Sequence, residues 1–245
     1  MTKTMILIPA RMASSRLPGK PLADIHGQPM IAHVIQRGIE AGLGETIVAV
    51  CEQEVADAVT DSGGHAVMTD PELPSGSDRI HAALTAIDHD GEAKIIINLQ
   101  GDLPTISPSA IAACHNALIE TGADIATLAA PIDDNEELAN PNVVKALVEF
   151  EDQNRAALAQ DFARQIPKTW NGGHYHHIGI YAYTRSALER FVALPPSHRE
   201  LEHKLEQLRA LDNGMSIAVA RVDTVPFGVD TPADLARAQS LLSRA

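Results

Sequence analysis

Aromatic residues make up only 3% of this 245-residue chain, and cysteine occurs only twice. Proteins that bind single-stranded nucleic acids stack the bases on aromatic side chains, so this scarcity argues against that class of function. The two cysteines, Cys51 and Cys114, lie far apart in the sequence and favour reduced, buried thiols over a disulfide framework. We therefore expect no nucleic-acid partner and a reducing, cytoplasmic environment.

Long apolar runs are also missing from the sequence. No stretch approaches the roughly 18 apolar residues that a membrane-spanning helix needs, and the apolar stretch near the first residue is too short for a signal peptide. The net charge of −13 further disfavours anionic membranes and nucleic-acid backbones as partners. These features predict a protein without a membrane partner.

Two common nucleotide-binding motifs are absent as well. The first predicted strand is not followed by G-x-G-x-x-G, the fingerprint of Rossmann dehydrogenases. Gly19 and Lys20 match the centre of a Walker A loop, but Ser14 stands where its first glycine belongs and Pro21 replaces the magnesium-binding hydroxyl residue. Any anion site in this region must therefore be of another kind.

The first 23 residues concentrate positive charge inside an acidic protein. They contain Lys3, Arg11, Arg16 and Lys20 and no acidic residue. Most of this charge lies in residues 7–22, LIPARMASSRLPGKPL, directly after a short apolar run that predicts a buried strand. Open α/β sheets bind ligands at the carboxyl ends of their strands, so this basic loop is placed at a ligand-binding edge.

The side chains of the basic loop suit a triphosphate. Arg11 is a two-pronged donor and Lys20 a compact point charge, and both are typical phosphate ligands. The hydroxyls of Ser14 and Ser15 and the N–H groups of the loop would complete an anion cradle. A solvated basic loop is the alternative, but four cations without one acid favour phosphate.

Two aspartates form a second group of candidate residues. Asp102 follows an apolar run and the turn Gln100-Gly101, and Asp230 comes directly before a predicted terminal helix. Two carboxylates together with triphosphate oxygens and waters would suit an octahedral Mg²⁺ ion. Either residue could instead be only a turn or capping residue.

The segment Ser75-Gly-Ser-Asp-Arg79 also follows the pattern of a helix start. It is expected to cap a helix through its serine and aspartate side chains. Its backbone groups and Arg79 could in addition contact a base, a phosphate or a neighbouring acid.

The pattern along the chain predicts an α/β fold with a doubly wound, mostly parallel sheet. Predicted strands lie at 5–8, 46–51, 66–68, 94–99 and 125–129, and predicted helices between them lie at 29–42, 54–62, 78–87 and 108–120. After residue 130 the pattern changes to strands at 143–150, 177–183 and 216–222, a loop-rich stretch, and helices at 186–193 and 199–212. We expect one domain over 1–245, with an inserted antiparallel element around 140–215 that could serve dimer contact.

Several motifs together resemble the 3-deoxy-manno-octulosonate cytidylyltransferases, the CMP-Kdo synthetases, over essentially the whole chain. They are the opening IPARMASSRLPGKPL with IHGQPMIAHV, followed by SGSDR, NLQGDLP, NPNVVK, HIGIYAY, LEQLRAL and GVDTPADL. The resemblance implies a Rossmann-like fold of the nucleotide-sugar transferase type. It also implies a homodimer that makes CMP-Kdo and pyrophosphate from CTP and Kdo, with Mg²⁺, for lipopolysaccharide synthesis.

The resemblance also implies roles for individual residues. Arg11, Lys20 and Asp102 would be catalytic, and Asp102 and Asp230 would hold the metal. The implied nucleotide-binding residues are Ala10, Arg11, Ser14, Ser15, Arg16, Lys20, Ser75, Arg79 and Gln100. The implied sugar-binding residues are Arg164, His177, Tyr181, Glu206 and Gln207. The implied reaction is direct attack of the anomeric hydroxyl on the α-phosphorus, with no covalent enzyme intermediate.

The segment ALAQDFARQIP at 157–167 departs from the pattern of the family. Arg164 could be the arginine that meets the sugar carboxylate, displaced by about one position. Two alternatives therefore stay open: a cytidylyltransferase for another α-keto acid sugar, such as 8-amino-Kdo or a sialic-acid relative, and a non-catalytic paralogue that binds nucleotide.

Overall fold

The computed structural model describes residues 2–14, 16–151 and 154–242. Its strands are β1 (Lys3–Pro9), β2 (Asp24–Ile25), β3 (Gln28–Pro29), β4 (Gly44–Val50), β5 (His65–Met68), β6 (Ala93–Asn98), β7 (Ile125–Pro131), β8 (Lys145–Val148), β9 (Ala156–Ala163), β10 (Tyr175–Thr184) and β11 (Ile217–Arg221). Its α-helices are α1 (Met30–Glu40), α2 (Gln53–Asp61), α3 (Gly76–Ile87), α4 (Pro108–Thr121), α5 (Asn135–Ala139), α6 (Arg185–Ala193), α7 (His198–His203), α8 (Gln207–Asp212) and α9 (Pro232–Leu242), and Lys20–Leu22 form a short 3-10 helix.

The chain divides into two compact units, Met1–Ile111 with Pro226–Ala245, and Ala112–Val225. In the first unit, four parallel strands lie in the order β5-β4-β1-β6. The apolar runs of β1, β4 and β6 are buried almost completely, as expected for parallel strands that are covered on both faces. Because these strands are parallel, the loops that follow β1 and β6 leave the sheet at the same edge.

In the second unit the strands lie in the order β10-β7-β11-β9-β8, and β10 also pairs with β8. Strand β11 runs parallel to β7, whereas the pairs β10–β7, β11–β9, β8–β9 and β10–β8 are antiparallel. The predicted α/β class is confirmed, and the sheet is mixed: its pairs are parallel in the first unit and mainly antiparallel in the second.

Two predictions about the second unit were wrong. The single helix predicted at 199–212 is two helices, because Lys204 adopts a left-handed conformation with φ of 54° and ends α7. Strand β9 lies in a stretch predicted to be loop-rich. Half of its eight residues are alanines, which have low strand propensity, so the sequence carries little strand signal there.

Both cysteines are free thiols; Cys114 is buried and Cys51 is partly exposed. Burial raises the pKa of the Cys114 thiol, which keeps it protonated and unreactive. Among the described residues, no helix combines the length and the apolar character that crossing a bilayer requires.

Candidate active site

A cavity of about 370 Å³ lies at the carboxyl edge of the strands in the first unit. Its lining residues are Pro9, Ala10, Arg11, Ala13, Ser14, Arg16, Lys20, Pro21, Ser75, Gly76, Arg79, Gln100, Gly101 and Asp102. Eight of the nine residues predicted to bind nucleotide are in this list, and the ninth, Ser15, lies outside the described residues. The structure therefore brings three separate sequence motifs to one concave surface.

Backbone hydrogen bonds hold the basic loop over the edge of the sheet. The N–H of Ala10 donates to the carbonyl of Ala49 at 2.9 Å, which extends the β1–β4 pairing past the end of β1. The N–H of Gly19 donates to the carbonyl of Met12 at 3.2 Å and closes the loop. Gly19 has a φ of 70°, a conformation that favours glycine, and the 3-10 helix that carries Lys20 begins directly after it.

The two predicted metal ligands lie on neighbouring segments of the first unit. The N–H of Val229 donates to the carbonyl of Asp102 at 2.9 Å. The Thr105 hydroxyl also donates to the carbonyl of Phe227 and accepts from its N–H, both at 3.0 Å. These bonds hold Asp230 beside Asp102, although the two are far apart in the sequence.

Lys20 lies between the two aspartates. Its Nζ is 2.8 Å from Oδ2 of Asp102 and 3.1 Å from Oδ1 of Asp230. Arg16 Nη2 lies 3.0 Å from the other oxygen of Asp230. Burial disfavours the charged form of Lys20, but the two carboxylates outweigh this and raise the pKa of Lys20. Lys20 is therefore an ammonium group at neutral pH.

The start of α3 forms another wall of the cavity. The Ser75 hydroxyl accepts from the N–H of Asp78 at 3.2 Å and donates to its carboxylate at 2.6 Å, so Ser75 caps the helix as predicted. Arg79 is 2% exposed, and its Nη1 donates to the Thr69 hydroxyl at 2.6 Å and to the carbonyl of Asp70 at 3.2 Å. Its Nη2 is buried without a hydrogen-bond partner among the described residues, and Arg79 is one of the residues that line the cavity.

Four of the five predicted sugar-binding residues form a polar group in the second unit. His177 is buried, and its Nε2 lies 3.0 Å from the Thr127 hydroxyl. The Tyr181 ring lies 5.8 Å from the His177 ring, and its hydroxyl donates to Gln207 Oε1 at 3.4 Å. Glu206 lies next to Gln207 in the chain and 3.9 Å from Arg209 Nη2. The Nε2 of Gln207 is buried without a hydrogen-bond partner in the part of the chain that the structure describes.

Arg164, the fifth predicted sugar-binding residue, is engaged with the backbone. Its Nε donates to the carbonyl of His203 at 2.8 Å, Nη1 to that of Pro141 at 3.2 Å, and Nη2 to that of Lys204 at 3.3 Å. A guanidinium at the carbonyls of His203 and Lys204 stabilises the C-terminal end of α7. In this structure Arg164 therefore ties three segments of the second unit together.

Three further residues position the candidate site residues through contacts that the sequence did not predict. Glu52 Oε1 accepts from the N–H of Met12 at 3.1 Å and so braces the basic loop. Asp234 Oδ2 accepts from the N–H of Asp230 at 3.1 Å and fixes its backbone. Lys145 is fully buried, and its Nζ donates to the carbonyls of Asn140 and Arg164 at 2.6 and 3.0 Å. The sequence signals for Lys145 were its place at the end of the NPNVVK motif and a lone lysine beside an apolar run.

Comparison with known proteins gives concordant results. A family model described as cytidylyltransferase matches residues 5–217. The 3-deoxy-manno-octulosonate cytidylyltransferase of Parvibaculum lavamentivorans is 57% identical over 98% of this chain and 93% of its own length. The enzyme of the same name from Paramagnetospirillum magneticum is 57% identical over 97% of both chains.

One solved structure is similar to this protein over nearly the whole length of both chains. It is a CMP:2-keto-3-deoxy-manno-octonic acid synthetase complexed with CTP, with 39% identity and a TM-score of 0.89. The match covers 99% of each chain.

Proposed function

This chain belongs to the cytidylyltransferase family, and from that membership we propose that it transfers CMP from CTP to the anomeric hydroxyl of Kdo and releases pyrophosphate. The observation that carries this function is the 57% identity, over almost the full chain, to relatives named for that activity. The similarity to a synthetase structure complexed with CTP supports the same nucleotide.

The cavity of the first unit has the chemistry that a nucleoside triphosphate needs. Arg11, Arg16 and Lys20 line the cavity and supply three positive charges, and charge-assisted hydrogen bonds to phosphate are among the strongest in proteins. Arg79 also lines the cavity, and its guanidinium adds a further positive charge there. We infer that the basic loop holds the triphosphate and that Ser75, Arg79 and Gln100 hold the nucleoside.

We further propose that Mg²⁺ binds Asp102 and Asp230. Because Lys20 Nζ contacts both carboxylates, their oxygens face a common point, as two ligands of one cation must. Among the described residues there is no cluster of three or more metal-ligating side chains, which fits an ion that takes its remaining ligands from phosphates and water. When bound, the ion would polarise the α-phosphate and neutralise charge on the departing pyrophosphate.

The chain contributes mainly position and charge to the proposed reaction. Phosphoryl-type transfer depends on alignment of the attacking oxygen, the phosphorus and the leaving oxygen. Arg11 and Lys20 would stabilise the negative charge that grows on the leaving phosphates. We assign the acceptor sugar to the group formed by His177, Tyr181, Glu206 and Gln207, whose buried donors and acceptors suit the hydroxyls of a sugar.

Several finer properties complete the proposal. We propose that the protein is a cytoplasmic homodimer of single-domain, Rossmann-like chains and serves lipopolysaccharide synthesis. The parallel strands of the first unit support the Rossmann-like description. We propose that residues 140–215 supply sugar and dimer contacts, and that the protein binds neither nucleic acid nor membrane.

The test is magnesium-dependent release of pyrophosphate from CTP, with Kdo, 8-amino-Kdo and sialic acid offered separately. We expect rapid release with Kdo, and at least about 100-fold slower release from Asp102→Asn, because one charged metal ligand is lost. Lys94→Gln, a change at an exposed lysine of the same unit, is the control and should keep the wild-type rate. Release only with another sugar would change the assigned acceptor, and nucleotide binding without release from any sugar would indicate a non-catalytic paralogue.

A further inference from the structure

We propose that Lys20 and a divalent cation compete for the same carboxylate oxygens, so that Asp102 and Asp230 take up the metal only when a triphosphate draws Lys20 away. This inference rests on the proposed function and adds a form of regulation to the same site. It assigns to Lys20 a role before the nucleotide arrives, in addition to any contact with phosphate.

The first argument is the position of the ammonium group. A single Nζ lies within 3.1 Å of both carboxylates, and the Lys20 side chain is only 17% exposed. An ammonium is a compact point charge with three donors, so it satisfies two converging carboxylates much as a small cation does. Lys20 and a metal ion that bridges Asp102 and Asp230 therefore need the same oxygens.

The second argument is the balance of charge. Asp102 and Asp230 carry two negative charges, and Lys20 and Arg16 place two positive charges within 3.1 Å of them. A divalent ion that approaches this arrangement meets neutralised carboxylates and a neighbouring ammonium that repels it. While Lys20 and Arg16 stay paired with Asp102 and Asp230, these two carboxylates therefore bind a divalent cation only weakly.

The third argument is what a triphosphate would change. Lys20 and Arg16 line the same cavity as Arg11, so phosphate oxygens that enter it give both cations new acceptors. The four-carbon stem of lysine allows its ammonium to move to a phosphate by side-chain rotation alone. Asp102 and Asp230 would then lose their positively charged partners at the moment when the phosphates of the nucleotide supply further oxygens for the metal.

Thermodynamic linkage makes this exchange measurable. If CTP strengthens metal binding by a given factor, the metal must strengthen CTP binding by the same factor. Removing the charge of Lys20 should remove its competition with the metal. The nucleotide-free protein should then bind the metal more tightly.

The experiment is a titration of nucleotide-free protein with Mn²⁺, followed by electron paramagnetic resonance of the free ion. Lys20→Met keeps the length of the side chain and removes its charge, and we expect it to bind Mn²⁺ at least about tenfold more tightly than the wild type. Adding Asp102→Asn to Lys20→Met should abolish the gain. Lys3→Met is the matched control, because it removes the same charge from an exposed pair with Glu92.

Equal Mn²⁺ affinity of the wild type and Lys20→Met, or an equal gain in Lys3→Met, would overturn the proposal. If Lys20→Met does not fold, Lys20→Gln replaces it, and the wild type is also titrated with and without a non-hydrolysable CTP analogue. If the analogue leaves the Mn²⁺ affinity of the protein unchanged, after correction for the Mn²⁺ that the analogue itself chelates, the exchange is likewise rejected. No acceptor sugar is present, so these results are independent of whether the protein turns over Kdo.

Discussion

At the residue scale, single buried polar side chains do much of the positioning in this protein. Lys145 and Arg164 both donate to backbone carbonyls, and Lys145 bonds the carbonyl of Arg164 itself. His177 is held between Thr127 and the neighbouring aromatic rings. Lys145 and His177 are buried and would be costly to bury alone, so their partners must be present in the fold.

Replacing Lys145 with methionine should lower the free energy of unfolding by about 2–3 kcal/mol. The change removes the charged donor from the partly buried carbonyls of Asn140 and Arg164 and leaves both without this hydrogen bond. Urea denaturation at pH 7 measures the effect. Lys94→Met is the control, because Lys94 donates to a single exposed carbonyl, and a loss as large in Lys94→Met would contradict this explanation.

The buried His177 predicts a dependence of stability on pH. Burial, with a smaller contribution from His176, lowers the pKa of His177 from 6.5 to about 3. Between these values the unfolded chain binds a proton that the folded protein does not. Stability that is fully present above pH 6.5 is therefore lost as the pH falls, by about 1.4 kcal/mol per pH unit from this residue.

Urea denaturation of the wild type and of His177→Gln at several pH values between 6.5 and 4 measures this contribution. The variant should lose stability less steeply than the wild type over that range. His198→Gln, at a side chain that is 91% exposed, is the control and should follow the wild type. Parallel slopes for the wild type and His177→Gln would show that His177 does not couple folding to protonation.

At the element scale, close approach of backbones decides where strands can pair. Gly44 begins β4, and a Cβ built there would lie 1.9 Å from the carbonyl oxygen of Thr4 in β1. The basic loop follows directly after β1. The close pairing of β1 with β4 therefore fixes the position from which the loop begins.

Gly44→Ala should therefore lower the free energy of unfolding by about 3 kcal/mol, because β1 and β4 must separate to make room. Gly179→Ala in β10 is a matched control, since a Cβ there meets no described atom within 4 Å. Thermal or urea denaturation of both variants measures the difference. Equal losses in the two variants would indicate that the backbone contact at Gly44 is unimportant.

At the scale of the whole molecule, charge is distributed unevenly. The protein carries a net charge of −13, yet Arg11, Arg16 and Lys20 line one cavity. An acidic protein that handles an anionic nucleotide needs such a local concentration of cations to attract it.

The proposed homodimer is also a property of the whole molecule. Sedimentation equilibrium should give twice the chain mass of 26.2 kDa, at concentrations at which the enzyme is active. The mass of a single chain under those conditions would exclude the dimer and leave the proposed chemistry unaffected.

The sequence by itself determined the features that depend on neighbouring residues. The apolar runs predict β1, β4 and β6, and the motifs that follow β1 and β6 place Lys20 and Asp102 at one edge, because parallel strands end on the same side. No local pattern places Asp230 beside Asp102. The resemblance implied that they share a metal, and the tertiary structure shows their segments joined by bonds between distant parts of the chain. Only it showed that Arg164 is engaged with carbonyls, because a side chain's partners depend on long-range packing that no local pattern records.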